Sequence, residues 1–167
     1  MVLKNLTFNV NKGERIGIVG RTGAGKSTIC LCLSRILEPT NGRIIVDGID
    51  ISKLNLTDLR SRITVIPQDP IMFKGSLKYN LDPSNSINEE EILRILKEAQ
   101  LSELIKEDGL ELKIEENGSN LSSGEKQLIC ICRAILRKSK VVILDEATSN
   151  IDVVTEQKIQ HLLNTQL

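Results

Sequence analysis

Gly20-Arg21-Thr22-Gly23-Ala24-Gly25-Lys26-Ser27 is the stretch on which the reading of this chain turns. It fits G-x-x-x-x-G-K-[ST], a loop whose backbone N–H groups wrap phosphates while its lysine reaches the terminal ones. Such a pattern gains weight only from its surroundings, and here they agree. Arg15-Ile16-Gly17-Ile18-Val19 reads as a short buried strand running into the loop. From Lys26 onward, Ile29, Cys32, Leu33, Ile36 and Leu37 recur at helical spacing until Pro39 stops the pattern. Strand, glycine loop and helix in this order aim a helix N-terminus, with its orphan N–H groups and partial positive charge, at an anion.

A chain of 167 residues suits one domain with a real core. Hydrophobic residues at 40% and charged residues at 26% match a soluble globular protein. Twenty-two basic residues balance twenty-two acidic ones, which gives no electrostatic reason to bind nucleic acid or an anionic membrane surface. With two Phe, one Tyr and no Trp, platforms for stacking bases are nearly absent. No apolar run reaches the ~18 residues of a membrane span, and residues 1–20 do not read as a signal peptide. Cys30, Cys32, Cys130 and Cys132 form two C-x-C pairs on predicted helices. That spacing sends paired sulfurs to different sides and departs from the C-x₂₋₄-C of zinc sites, so buried reduced thiols are expected.

Leu6, Phe8 and Val10 alternate as in a half-buried strand over residues 2–10. After Thr40-Asn41-Gly42, the stretch Arg43 to Val46, then Asp47-Gly48, then Ile49 predicts a hairpin on a two-residue turn. Asp47 and Asp50 read as turn residues. Leu56, Leu59 and Ile63 predict a short helix, and Ile63-Thr64-Val65-Ile66 a strand ended by Pro67. Gln68 then stands at the C-terminal edge of a strand, the edge where ligands bind in parallel α/β sheets. Residues 69–87 read as loop, and a helix from Glu89 to about Leu101 is capped by Ser86 or Asn88. Residues 69–120 together read as a mainly helical insertion in an α/β core.

Leu121-Ser122-Ser123-Gly124-Glu125 is the second informative stretch, because Ser122 and Glu125 have capping-box spacing. Leu128, Ile131, Cys132, Ile135 and Leu136 continue it as the apolar face of a helix. The pattern fits a well-started helix, and equally a second phosphate seat. Val141-Val142-Ile143-Leu144 is a continuous apolar run, expected of a strand buried on both faces, and ends in Asp145-Glu146. Downstream of a phosphate loop, one carboxylate at a strand tip plus the Ser27 hydroxyl suits Mg²⁺, which keeps several waters. Glu146 is then available to orient or deprotonate a water. Residues 152–167 read as a helix with Asp152 as N-cap, Ile159, Leu162 and Leu163 inward, and His161 on its polar side.

With these motifs placed, the chain resembles the ATP-binding cassette, the nucleotide-binding domain of ABC transporters. The resemblance rests on Gly20–Ser27, Leu121–Glu125 and Val141–Glu146 continuing through Asp152, and covers essentially every residue. Asp47-Gly48-Ile49-Asp50-Ile51, Ile66-Pro67-Gln68-Asp69-Pro70, Phe73-Lys74-Gly75-Ser76-Leu77 and Asn80-Leu81-Asp82-Pro83 resemble the multidrug-resistance-associated (C) subfamily, its second cassette above all. The fold it implies is an α/β phosphate-loop NTPase core with a mainly parallel sheet, an N-terminal antiparallel β portion and a helical insertion. Residues 1–167 would then form a single ATPase domain, cut short at both ends.

The resemblance also implies roles. Gly20, Arg21, Thr22, Gly23, Ala24, Gly25, Lys26, Ser27 and Thr28 would hold the ATP phosphates. Ser27, Gln68 and Asp145 would serve Mg²⁺, Glu146 would polarise the attacking water, and Lys26 and Gln68 would assist catalysis. Ser122 and Gly124 would act on ATP bound to a second nucleotide-binding domain, in a head-to-tail ATP sandwich with Asp152 at its seam. Transmembrane domains are the other implied partner, with the cassette on the cytoplasmic face of an integral membrane transporter. Nucleic acid is not implied. The signature departs from Leu-Ser-Gly-Gly-Gln at Ser123 and Glu125, and Asn150 replaces a small residue. The adenine-stacking aromatic and the switch histidine have no counterpart here, and His161 does not fill the latter role. The expected function is ATP hydrolysis that powers transport. The alternative is an ATP-sensing, poorly hydrolytic cassette that gates a channel or partner.

Overall fold

The computed structural model describes residues 2–145 and 152–166. The chain divides into two compact units, Met1–Ile63 and Thr64–Leu167.

In the first unit, helix α1 spans Lys26–Leu33 and starts at Gly25, whose φ of 99° places the N-cap in left-handed space. The periodicity predicts a helix running to Pro39; it stops earlier because Arg35 takes φ 49°. Ile36 N–H then reaches back to Leu31 O at 2.9 Å and Arg35 N–H to Cys32 O at 3.1 Å, a Schellman closure on a non-glycine residue. The Arg35 guanidinium secures that turn, since Nη1 donates to Ile51 O at 3.0 Å and Leu54 O at 2.7 Å.

The predicted hairpin forms. Strands β1 (Ile45–Val46) and β2 (Ile49–Asp50) pair antiparallel, with Val46 opposite Ile49. Asp47 and Gly48 both have positive φ (50° and 78°), as a type I′ turn requires. Asp50 caps the next turn by accepting from Ser52 N at 3.0 Å. Helix α2 (Leu56–Arg62) is capped by Asn55 and buries Leu59.

Residues 2–10 and 15–19, expected as strands, are not strands here. Leu6, Phe8, Val10, Ile16, Ile18 and Val19 are exposed, and Val19 is 97% so. Alternation identifies which side chains share a face, but a strand also needs a neighbour to complete its ladder. Within the described residues these segments have none. Among the described residues of this unit, the antiparallel β is the β1–β2 hairpin.

The second unit contains the hydrophobic core. Strand β3 (Ile63–Ile66) pairs in parallel with β6 (Val141–Leu144). Strands β4 (Gly75–Ser76) and β5 (Lys113–Ile114) form a small antiparallel pair. Between them lie α3 (Leu77–Leu81) and α4 (Glu89–Glu98), followed by α5 (Ser123–Leu136) and α6 (Val153–Gln166). Ten of the fourteen α5 residues are buried, so this helix is the axis on which α3, α4 and α6 pack. Ile129, Ile131 and Cys132 meet Leu77, Ile92, Leu96, Ile159 and Leu162, all essentially without solvent contact. Asn88, not Ser86, caps α4, and Glu89, Glu90 and Glu91 in its first turn suit the helix dipole. The short α3 lies inside the segment read as loop. β6 is half-buried with Leu144 exposed, where the apolar run predicts burial on both faces. Among the described residues β3 is the only strand laid against it.

Candidate functional site

The glycine loop has the conformation its sequence requires. Gly23 and Gly25 adopt φ of 81° and 99°, which a side chain would disfavour. A Cβ on Gly25 would also meet Val2 Cγ1 at 2.8 Å and Leu3 Cδ2 at 2.9 Å, and one on Gly20 would meet Ala24 Cβ at 3.2 Å. Ala24 N–H closes the turn on Arg21 O at 3.0 Å. The Lys26 Nζ curls over the loop, donating to Gly20 O at 2.9 Å and Arg21 O at 3.5 Å. Gly25 cannot cap α1 with a side chain, so this helix start relies on its surroundings to serve the N–H groups. Arg21, Thr22, Gly23, Ala24 and Ser27 are exposed and Thr28 is half-buried. A concave backbone with an ammonium folded over it matches the chemistry of a polyphosphate.

In the second unit, the N–H of Asp145, one step beyond β6, donates to the O of Ile66, the last residue of β3, at 3.0 Å. Asp145, half-buried, and Gln68, exposed, therefore follow the same C-terminal edge of the β3–β6 pair. Glu146, expected to polarise water, lies outside the described residues, as does Asn150.

The signature-like stretch forms the expected capping box. Glu125 N–H donates to Ser122 Oγ at 3.2 Å, and Glu125 Oε2 accepts from Ser122 N at 2.8 Å and Ser122 Oγ at 2.6 Å. The carboxylate is thus turned back onto its own helix. Ser122 and Ser123 are exposed, whereas Gly124 is buried against α6. A Cβ there would approach Thr155 Oγ1 to 2.9 Å and Cγ2 to 3.1 Å. Asp152 caps α6, accepting from Thr155 N at 3.0 Å and Thr155 Oγ1 at 2.7 Å, and these hydrogen bonds hold its carboxyl below the usual range. An open cavity of about 210 Å³ lies beside this turn, lined by Ser122, Gly124, Glu125, Thr155 and Lys158 among others. His161 is exposed on α6, on the polar side the sequence assigns to it.

Three polar residues with structural reach have no motif to announce them. Asn80, 1% exposed, binds the Phe73 backbone at both N–H and C=O, each at 2.8 Å. Arg133 crosses from α5 to Asn80 O and Ile71 O, and buried Gln127 donates to Pro67 O at 3.5 Å. Amphipathic spacing gives the only advance signal, because Gln127 falls on the apolar face of α5.

A glycine loop opening a helix, in a chain with a parallel strand pair of which β6 runs into Asp145, defines an α/β protein of the phosphate-loop NTPase class. Residues 3–149 match the sequence model of the ABC transporter family, and the chain belongs to that family. It is 52% identical over 162 residues to rat ATP-binding cassette sub-family C member 2, covering 96% of this chain and 10% of the relative. To human ATP-binding cassette sub-family C member 3 it is 49% identical over 168 residues, covering 99% of this chain and 11% of the relative. The chain thus spans about a tenth of the length of the curated relatives it matches. Among solved structures it is similar to a bacterial Atm1-family ABC exporter with ATP bound, with TM-score 0.89 and 36% identity. That likeness covers 98% of this chain and 29% of the exporter chain.

Proposed function

We propose that the chain is an ATP-binding and ATP-hydrolysing cassette that powers transport of a substrate across a membrane. The observation that carries this reading is the Lys26 ammonium held 2.9 Å from Gly20 O, over a loop whose Gly23 and Gly25 take the positive φ that exposes backbone N–H groups. Gly20 to Thr28 bind the triphosphate through backbone N–H groups, and Lys26 exchanges its carbonyl partners for phosphate oxygens, where it offsets charge developing at the γ-phosphate. Mg²⁺, when bound with ATP, polarises the phosphoryl oxygens; Ser27, Asp145 and Gln68 are the residues that would hold it, directly or through water. Glu146 accepts the proton of the attacking water and Gln68 orients that water.

Ser122 and Gly124 supply the second phosphate seat, used on ATP held by a partner cassette in a head-to-tail pair. Residues 1–167 act as one ATPase domain with residues 69–120 as its helical insertion. The other partner is a set of transmembrane domains, which places the cassette on the cytoplasmic face of the membrane. Among the described residues no helix is long and apolar enough to cross a membrane. Exposed Ile71, Phe73 and Tyr79, close after Gln68, give the membrane domains an apolar surface to meet.

Lys26→Ala in the intact protein tests the phosphate site, since it should weaken ATP binding at least tenfold, the loss of one charged contact. Unchanged affinity would remove the basis of the assignment. Steady-state phosphate release abolished by Glu146→Gln separates a hydrolysing cassette from the ATP-sensing alternative.

A further inference from the structure

The segment that follows Gln68 is fastened to α5 along its length. Just before Gln68, the Pro67 carbonyl accepts from Nε2 of buried Gln127 at 3.5 Å. Midway, Arg133 Nη1 donates to Ile71 O at 3.2 Å, and the Cys130 thiol lies against the Ile71 backbone. At its end, Arg133 Nε donates to Asn80 O at 2.6 Å, the shortest of these bonds and assisted by charge. Asn80 folds the intervening loop on itself, accepting from Phe73 N and donating to Phe73 O, both at 2.8 Å, and to Ser76 O at 3.1 Å. Two carbonyls nine residues apart in sequence, Ile71 O and Asn80 O, thus converge on one guanidinium. The third guanidinium nitrogen, Nη2, is buried without an acceptor.

We propose that Arg133 is a positioning residue for the reaction: it fixes the segment carrying Gln68 to the helix that begins at Ser122, so that water-orienting and signature groups move as one body. This rests on the proposed roles of Gln68 and Ser122. Lysine cannot replace arginine here, because a single ammonium on a flexible stem does not hold two carbonyls in the fixed directions of a guanidinium fork. The Lys26 loop lies in the other unit, so losing Arg133 should spare nucleotide affinity and reduce turnover.

The test compares Arg133→Lys, Arg133→Met and Gln68→Ala in the intact protein, by steady-state phosphate release and by equilibrium titration with a fluorescent ATP analogue. Both Arg133 variants are expected to lower kcat by about 10- to 100-fold, a displacement near 1 Å being enough for the larger loss. Affinity for the analogue stays within about twofold, the pattern of a group whose effect is felt in the transition state only. The double variant Gln68→Ala/Arg133→Lys is expected to be no slower than Gln68→Ala alone, because both act through the same water. Wild-type kcat in folded Arg133→Lys, or losses that multiply in the double variant, overturns the positioning role. Wild-type kcat in Gln68→Ala instead overturns the role of Gln68 on which the inference rests. Where Arg133→Met fails to fold, hydrogen exchange on Arg133→Lys carries the test. The Phe73 amide should exchange faster than in the parent while α4 amides do not, and unchanged Phe73 protection refutes the clamp.

Discussion

Replacing Gly124 by alanine should destabilise the chain, against the ordinary preference of helices. In an open helix the change gains about 0.8–1 kcal/mol, because glycine loses more backbone freedom on folding. Here the new methyl would stand 2.9 Å from Thr155 Oγ1 and 3.1 Å from Thr155 Cγ2. Carbon contacts are comfortable at about 3.5–4.0 Å, so both atoms overlap it, and overpacking of this kind costs about 1–3 kcal/mol. Thr155 is not free to turn aside, since its hydroxyl is bonded to Asp152 Oδ2 at 2.7 Å and that bond starts α6. The net expectation is a loss of up to about 2 kcal/mol, combining the two terms. Thr155→Ala alone loses that hydroxyl bond, about 0.5–1.5 kcal/mol. In the Thr155→Ala background only Cβ remains, at 3.4 Å, an ordinary contact. There Gly124→Ala should become neutral or stabilising, which makes the coupling the overpacking cost itself, about 1–3 kcal/mol, within the range seen for touching residues. Urea unfolding of the four proteins, with equal m-values as the check on a common unfolded state, measures it. Additivity within about 0.5 kcal/mol would refute the steric reasoning and with it the close seating of α5 on α6.

Further outcomes follow from the same contacts. Ser122→Ala removes one half of the capping box and should cost about 1 kcal/mol in the same unfolding assay. Burial pushes the Cys132 thiol up to about 12 and raises that of Cys130. An alkylating reagent at pH 8, followed by mass-spectrometric mapping, should therefore modify half-buried Cys30 and Cys32 well before either. For Asp82, burial works against the carboxylate, but hydrogen bonds from Ile87 N, Ser84 and Ser86 outweigh it and hold its pKa below the usual range. Its contribution is then complete above about pH 3.9 and is lost as pH falls through the lower folded value. Asp82→Ala should accordingly show a smaller drop in urea midpoint between pH 6 and pH 3 than the parent.

The legible parts of this chain are those decided by local chemistry. Gly23 and Gly25 announce a backbone that only glycine adopts comfortably, Asp47-Gly48 announces a type I′ turn, and Ser122 with Glu125 announces a helix start. Each is settled within a few residues, and each has the expected form. What the sequence does not show is decided between distant residues. Arg35 ends α1 early because Ile51 O and Leu54 O receive its guanidinium, and no local signal marks an arginine for left-handed space. The alternation of Leu6, Phe8 and Val10 describes one side of a ladder, and the described structure provides no other side. Arg133 reads as a cation suited to the C-terminal half of a helix, yet its carbonyl partners lie 53 and 62 residues away. Of the candidate site, the loop and the signature turn were open to inspection in advance, while the fastening of the Gln68 segment was not.

The Ser122 hydroxyl owns a single proton, and in this chain that proton is already committed to the Glu125 carboxylate at 2.6 Å. In the head-to-tail pairing proposed above, an oxyanion arriving at Ser122 would meet a serine that must first let go of an anion of its own. Engagement at this seat is an exchange of one acceptor for another, and its net strength is the difference between two similar bonds.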